Sequence, residues 1–369
     1  MNTNKKIVVK IGTNLLTKAN FQLNKKFIGE IAAEIIEIKK QGYKIILVSS
    51  GAVAAGRSEL PFKKESKNIP LKQCLAAVGQ GILINTYRDI FKKAKIPVAQ
   101  LLLTNMDFFH KKNFLNTGNT LEYLLKLNAL PIVNENDVTS FDELKFGDND
   151  TLSAKVASMI GADLLILLTD VQGLYSANPR TNPNAELIPE VKKIDDHIKK
   201  IAEDKGTKHS RGGMKSKILA AEYAGSSGVN TVIAFGKQKD VLKKIILEKK
   251  SIGTFFHAAK DKLESRKKWI IAQINKNAEI HVDEGALRAL KIECKSLLPV
   301  GITEIKGEFE RGDVISIFSP EKDLIGYGLT NYSSQKLNII KKLKTEEIHQ
   351  KLEHINEEEA VHRDNLIML

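Results

Sequence analysis

Two cysteines in 369 residues, Cys74 and Cys294, lie too far apart for a CxxC pair and are too few for a disulfide framework, so a reducing, cytoplasmic setting is expected. Proline is scarce too, at 9 residues, and no stretch is built from a few residue types. With 42% hydrophobic and 27% charged residues, extended disorder is excluded and a sizeable core can form. Long apolar runs are also missing. The first ten residues carry only Ile7-Val8-Val9, too brief for a signal peptide, and no later run has the length of a membrane-spanning helix, so no membrane partner is expected. The length exceeds what one hydrophobic core usually serves, which predicts two domains.

Base is in short supply only at the C-terminal end. Residues 275–369 balance to −4, whereas residues 1–274 carry +17 of the overall +13. The excess is scattered as pairs such as Lys25-Lys26, Lys39-Lys40 and Lys243-Lys244 at expected helix ends, where solvated lysines are the ordinary explanation and attraction of anionic substrates such as nucleotides the other.

What is present is an alternation of short β-rich runs and helical patterns. Strands are predicted at Ile7–Ile11, Ile45–Val48, Val98–Leu103, Pro131–Asn134, Leu164–Leu168 and Thr231–Phe235. Helices are predicted at Phe27–Lys40 with Gly42 as the stop, about Leu71–Ala94, Thr117–Leu127, Thr151–Ile160 and Lys215–Ala224. Strands without alternation, joined by helices, predict a buried, mostly parallel sheet in an α/β/α sandwich. From this follow the expected domains: a catalytic domain over 1–250, a linker over 251–274, a small β-barrel-like module over 275–353 with strands near Glu279–Val282, Gly301–Ile305, Val314–Phe318 and Leu324–Leu329 and a closing helix at Ser334–Leu343, and a tail over 354–369 that the pattern does not place.

Ligands of an open parallel sheet bind beyond the carboxyl ends of its strands, so the residues that follow each strand carry the chemistry. After the first strand, Lys10-Ile11-Gly12-Thr13-Asn14 offers a compact positive charge and a glycine that admits a phosphate, although a plain turn reads the same way. Ser49-Ser50-Gly51-Ala52 opens a helix whose free amides suit a phosphate or a carboxylate, or is simply capped by serine. Asn134-Glu135-Asn136-Asp137 and Phe146-Gly147-Asp148-Asn149-Asp150 gather amides and carboxylates able to grip an α-amino group and help order Mg²⁺, residues that also favour turns. Thr169-Asp170 ends a strand, and Gly212-Gly213-Met214-Lys215-Ser216-Lys217 opens a helix with a lysine one turn in, able to cradle phosphates. No Walker A loop and no GxGxxG occurs. Five such elements at successive strand ends are hard to explain as turns.

Together these segments, with Ala76-Ala77-Val78-Gly79-Gln80, Ser50 to Arg57 and Leu168-Thr169-Asp170, resemble the amino acid kinase family nearly end to end, and within it the branch that phosphorylates glutamate. Val282-Asp283-Glu284-Gly285-Ala286, Ser296-Leu297-Leu298-Pro299 and Arg311-Gly312-Asp313-Val314-Ile315 resemble the PUA domain of that branch. The resemblance implies ATP-dependent phosphorylation of the γ-carboxylate of L-glutamate, the first step of proline biosynthesis. Lys10 and Lys217 would meet the transferring group, with Asp150 organising them. Gly12, Thr13, Thr169, Asp170 and Arg211, Gly212, Gly213, Met214, Lys215, Ser216 and Lys217 would join Lys10 around ATP, and Ser50, Gly51, Asn134, Asp137 and Asn149 would hold glutamate. ATP and Mg²⁺ are implied, with no direct protein ligand assigned to the metal. Proline as feedback inhibitor, a homodimer or homotetramer and a reductase partner that forms glutamate 5-semialdehyde are implied as well. The sequence departs from the family pattern at Ser210-Arg211 and at Asn116-Thr117-Gly118-Asn119. Other readings are a kinase for acetylglutamate or aspartate, a silent regulator, and an RNA-binding protein, since PUA domains are associated with RNA. The −4 balance and the lack of a basic stripe with interleaved aromatics disfavour RNA.

Overall fold

A computed structural model describes residues 4–60, 68–140, 149–179, 181–203, 213–259, 274–351 and 357–369. The chain divides into two compact units. One comprises residues up to 109 together with 117–262, the other residues 110–116 together with 263–369.

The first unit is built on eight strands: β1 (Lys6–Ile11), β2 (Lys44–Ser49), β3 (Val98–Leu103), β4 (Leu130–Glu135), β5 (Leu164–Thr169), β6 (Glu190–Val191), β7 (Asn230–Phe235) and β8 (Thr254–Phe256). Their order is β3-β4-β2-β1-β5-β7-β8-β6. The pairings from β3 through β7 are parallel, and β8 runs antiparallel to β7. Strand β1 is central because Ile7, Val8, Val9 and Ile11 are buried and both faces need cover.

The helices are α1 (Thr13–Leu16), α2 (Lys25–Lys40), α3 (Ala52–Glu59), α4 (Ile69–Lys92), α5 (Met106–Phe109), α6 (Lys111–Lys126), α7 (Asn149–Met159), α8 (Asp196–Glu203), α9 (Met214–Ser226) and α10 (Val241–Ile246). Phe27, Ile28, Ile31, Ile35 and Ile38 of α2 share one core with Leu83, Tyr87 and Phe91 of α4 and Val241 and Leu242 of α10. The 3.6-residue spacing of these apolar positions makes α2 cover the sheet. Asn24 caps its start by accepting from Phe27 N, and Gly42, at φ +89°, follows its end. Helix α7 packs against β1, β2, β4 and β5, and α9 against α7 and β7. Helices α3 and α4 cross at backbone contact. A Cβ on Gly79 would lie 1.8 Å from Ala52 O, and one on Gly56 1.9 Å from Leu75 O.

The second unit carries β9 (Ile274–Val282), β10 (Ile302–Lys306), β11 (Val314–Phe318), β12 (Leu324–Leu329) and β13 (Leu366–Met368) in the order β10-β9-β11-β12-β13. Asp283 caps the helix Glu284–Lys291 and Ser333 the helix Ser334–Ile340. Its core includes Ala278, Ile280, Ile315, Ile317, Leu337, Ala360 and Val361.

Four sequence readings need correction. Thr254–Phe256, expected in a linker, is strand β8 of the main sheet, because Phe256 is buried and Thr254 ties the strand down through Oγ1 to Ile188 O. The helix expected from Thr117 starts at Lys111, since the buried Leu115, Leu121 and Leu125 outweigh the weak helix propensity of Asn116-Thr117-Gly118-Asn119. Helix α7 begins at Asn149 rather than Thr151, which puts Asn149 and Asp150 in its first turn. The unplaced tail supplies β13, paired with β12, and Val361, bridged to Leu297. Among the described residues no helix is long and apolar enough to cross a membrane.

Candidate active site

Parallel pairing brings the strand ends to one edge of the sheet. Ile11 lies beside Ser49 on one side and Leu168 on the other, Thr169 beside Phe235, and Val48 beside Val133. The chain order of the strands turns outward in both directions from β1, the position where open α/β sheets bind ligands.

At that edge two lysines far apart in sequence meet on one carboxylate. Lys10 Nζ lies 2.5 Å from Asp150 Oδ1, and Lys217 Nζ 3.0 Å from Asp150 Oδ2. Ser216 Oγ donates to the same Oδ2 at 3.0 Å. Asp150 is 0% exposed, Lys10 5% and Lys217 6%, so the pairs sit where charges attract more strongly than in water. Burial pushes the Asp150 carboxyl up, but the attraction of Lys10 and Lys217 and their hydrogen bonds outweigh it and hold the group below the ordinary carboxylate range. The arrangement is a fixed, preorganised pair of positive charges. Gly12 closes over it: a Cβ there would lie 3.8 Å from Lys10 Nζ and 3.5 Å from Leu168 O.

Beside this cluster runs a ladder of amides. Asn149 Nδ2 lies within hydrogen-bonding distance of Ser50 Oγ at 2.9 Å, Ser49 O at 3.1 Å and Asn134 Oδ1 at 2.9 Å. Asn134 Nδ2 donates onward to Gln80 Oε1 at 2.8 Å. Gly51 adopts φ +102° as the N-cap of α3, a left-handed conformation that glycine takes without steric cost. Behind the ladder, Ser49 Oγ and Tyr87 OH share a hydrogen bond of 3.0 Å, and burial pushes the Tyr87 phenol up.

A third group forms after β5. Asn14 Nδ2 donates to Asp170 Oδ2 at 3.0 Å and Thr169 Oγ1 to Asp170 Oδ1 at 3.2 Å. Partial burial raises the Asp170 carboxyl, yet these hydrogen bonds, with Asn14 foremost, leave it lowered.

Of the residues singled out from sequence, Lys10, Gly12, Asp150, Ser216 and Lys217 thus form one cluster, Ser50, Gly51, Asn134 and Asn149 a second, and Thr169 and Asp170 a third. Gly213 caps α9, and Met214 and Lys215 lie in its first turn, with Lys215 exposed. Thr13 opens α1 on the exposed side. Asp137 occupies the turn after β4. Arg211 and Gly212 lie outside the described residues. The sequence reading named Asn14 at the end of the segment from Lys10 and Gln80 at the end of the segment from Ala76 but gave neither a role. Neither sits in a periodic or spaced pattern, and only the fold places them beside Asp170 and Asn134.

Known proteins share this organisation. The amino acid kinase family model matches residues 5–234 and the PUA domain model residues 278–352. A glutamate 5-kinase of Caldanaerobacter subterraneus is 44% identical over 364 residues, 99% of this chain and 98% of that protein. One from Nitrosospira multiformis is 41% identical over 365 residues, again 99% and 98%. Among solved structures, a carbamate kinase from Giardia lamblia bound to AMP-PNP shares the fold at TM-score 0.50 and 18% identity, over 70% of this chain and 99% of that one. Lysines from β1 and α9 on one buried aspartate, and nearly end-to-end identity above 40%, place the chain in the amino acid kinase family, within its glutamate 5-kinase branch.

Proposed function

We propose that the chain transfers the γ-phosphoryl group of ATP to the γ-carboxylate of L-glutamate, giving glutamyl 5-phosphate for proline biosynthesis. The observation that carries this is the convergence of Lys10 and Lys217 on Asp150 beside the Ser50–Asn149–Asn134 ladder.

A free glutamate side chain has a pKa of about 4.3, so at neutral pH the nucleophile is already an anion and needs no general base. What opposes reaction is repulsion between that carboxylate and the triphosphate, and the charge spread over the transferring phosphoryl oxygens. Lys10 and Lys217 answer both as fixed cations, while Asp150 keeps them apart and aimed. In this reading Gly12, Thr13, Thr169, Asp170 and the segment Arg211 to Lys217 hold ATP, and Ser50, Gly51, Asn134, Asp137 and Asn149 hold glutamate. Both Asp150 oxygens face ammonium groups. Mg²⁺ enters the reading with ATP, where it would offset part of the phosphate charge.

The product is a mixed anhydride, reactive enough to favour prompt consumption by a reductase. Hydroxylamine trapping with ATP, Mg²⁺ and a panel of amino acids tests the assignment. Hydroxamate that depends on glutamate is expected; hydroxamate formed with another amino acid and not with glutamate would overturn it.

A further inference from the structure

The amide ladder ends in an unmatched donor. Gln80 is 8% exposed, and its Oε1 accepts from Asn134 Nδ2. Its Nε2, on the same planar amide, is buried with no hydrogen-bond partner among the described residues. Leaving such a donor unmet is costly, and native proteins keep few of them.

The orientation of this amide is dictated from the main chain outward. Glu135 N is a backbone donor whose polarity cannot be reversed, and it donates to Asn134 Oδ1 at 2.9 Å. The same Oδ1 faces Asn149 Nδ2. Asn134 must therefore present its Nδ2 to Gln80, and Gln80 must answer with oxygen. Turning the Gln80 amide over would set two NH₂ groups against each other. Gly79, at backbone contact with Ala52, holds this part of α4 against the turn that opens α3. The donor is thus fixed both in direction and in place.

We propose that Gln80 is a specificity-determining residue whose Nε2 donates to the α-carboxylate of the amino-acid substrate, an inference that rests on the glutamate reading above. An unmet NH₂ calls for an acceptor, and a glutamate zwitterion accepts only through its two carboxylates, its ammonium group being a donor. The reacting carboxylate belongs with Lys10 and Lys217 at Asp150. Gln80 is separated from that cluster by Asn134 and Asn149, at the far end of the ladder, where the unreactive carboxylate falls. A substrate lacking the acceptor leaves the donor unmet, which discriminates against it.

The test uses the full chain and two variants. Gln80→Glu keeps an oxygen for Asn134 and replaces the donor with a second acceptor, whereas Gln80→Met removes both. Gln80→Glu should raise KM for glutamate about ten- to a hundredfold, the scale of one hydrogen bond to a charged group. KM for ATP and KM for 4-aminobutyrate, which has no α-carboxylate, should stay near the parent values, while the Tm falls because the new carboxylate is buried. Gln80→Met should show the same selective loss with a lowered Tm. An unchanged glutamate KM in Gln80→Glu, or equal rises for glutamate and 4-aminobutyrate, overturns the proposal and leaves Gln80 as a prop for Asn134. If neither variant folds, the parent protein decides: at least tenfold preference for glutamate over 4-aminobutyrate supports the contact, and equal KM overturns it. Should the parent phosphorylate a different amino acid, the glutamate assignment is what fails, and the same comparison is made between that amino acid and its analogue without the α-carboxylate.

Discussion

At the scale of single residues, Asp150 with its two lysines dominates the expected behaviour. Lys10→Ala and Lys217→Ala should each lower kcat at least about a hundredfold, the size of losing one charge-stabilising donor in the transition state. Turnover near the parent value in both variants would remove the lysines from the chemistry. Asp150→Asn leaves two buried ammonium groups without their counter-charge, so it should lower both activity and stability. The sign of its pH dependence follows from the lowered carboxyl. The stabilisation is fully present above the unfolded value of about 3.9 and is lost as pH falls through the folded one. Urea midpoints of parent and variant should therefore differ at pH 7 and converge below about pH 4. A gap that stays constant would mean the carboxylate charge is not what holds the cluster.

At the scale of elements, two contacts give separable tests. The crossing of α3 and α4 allows no side chain at Gly79, since a methyl would meet Ala52 O at 1.8 Å. Gly79→Ala should cost about 1–3 kcal/mol or more through overpacking. It should also raise KM for glutamate, because the crossing positions both Gly51 and Gln80. Normal stability would show that the helices can slide apart. At the end of α2, Lys39 donates to Ala129 O at 3.2 Å, and burial first, then the nearby Lys44, brings its ammonium down to about 8. Protonation is disfavoured in the folded chain, so its cost is full below pH 8 and fades as pH rises toward the unfolded value. Relative to the parent, the Tm of Lys39→Met should accordingly fall between pH 8 and about 10.5. Thermal melts at pH 7 and pH 10 measure the change, and a pH-independent difference would contradict it.

At the scale of the whole molecule, each of the two units has its own core, and the second is completed by the end of the chain. Ala360 and Val361 are fully buried, Ile367 is 4% exposed, and β13 pairs with β12. A chain ended at residue 353 lacks all of these. Its residues 275–353 should become sensitive to limited proteolysis where the full chain resists. Equal resistance would mean that the remaining strands suffice.

The sequence by itself determined the composition of the core and the parallel strands β1, β2, β4, β5 and β7, because fully buried strands must be continuous apolar runs and Gly, Asn and Ser end them. It also marked the polar strand ends as the place for chemistry, since only there do backbone amides face outward. The start of α6 and strands β6 and β8 escaped, as two- and three-residue strands carry no period and the first turn of α6 is paid for by Leu115 rather than by helix-forming residues. Only the tertiary structure decided which polar residues meet. That Lys10 and Lys217 share Asp150, that Asn14 holds Asp170, and that Gln80 turns its oxygen to Asn134 and leaves Nε2 unmet follow from strand order and helix crossing, which bring together side chains whose separation along the chain holds no trace of the encounter.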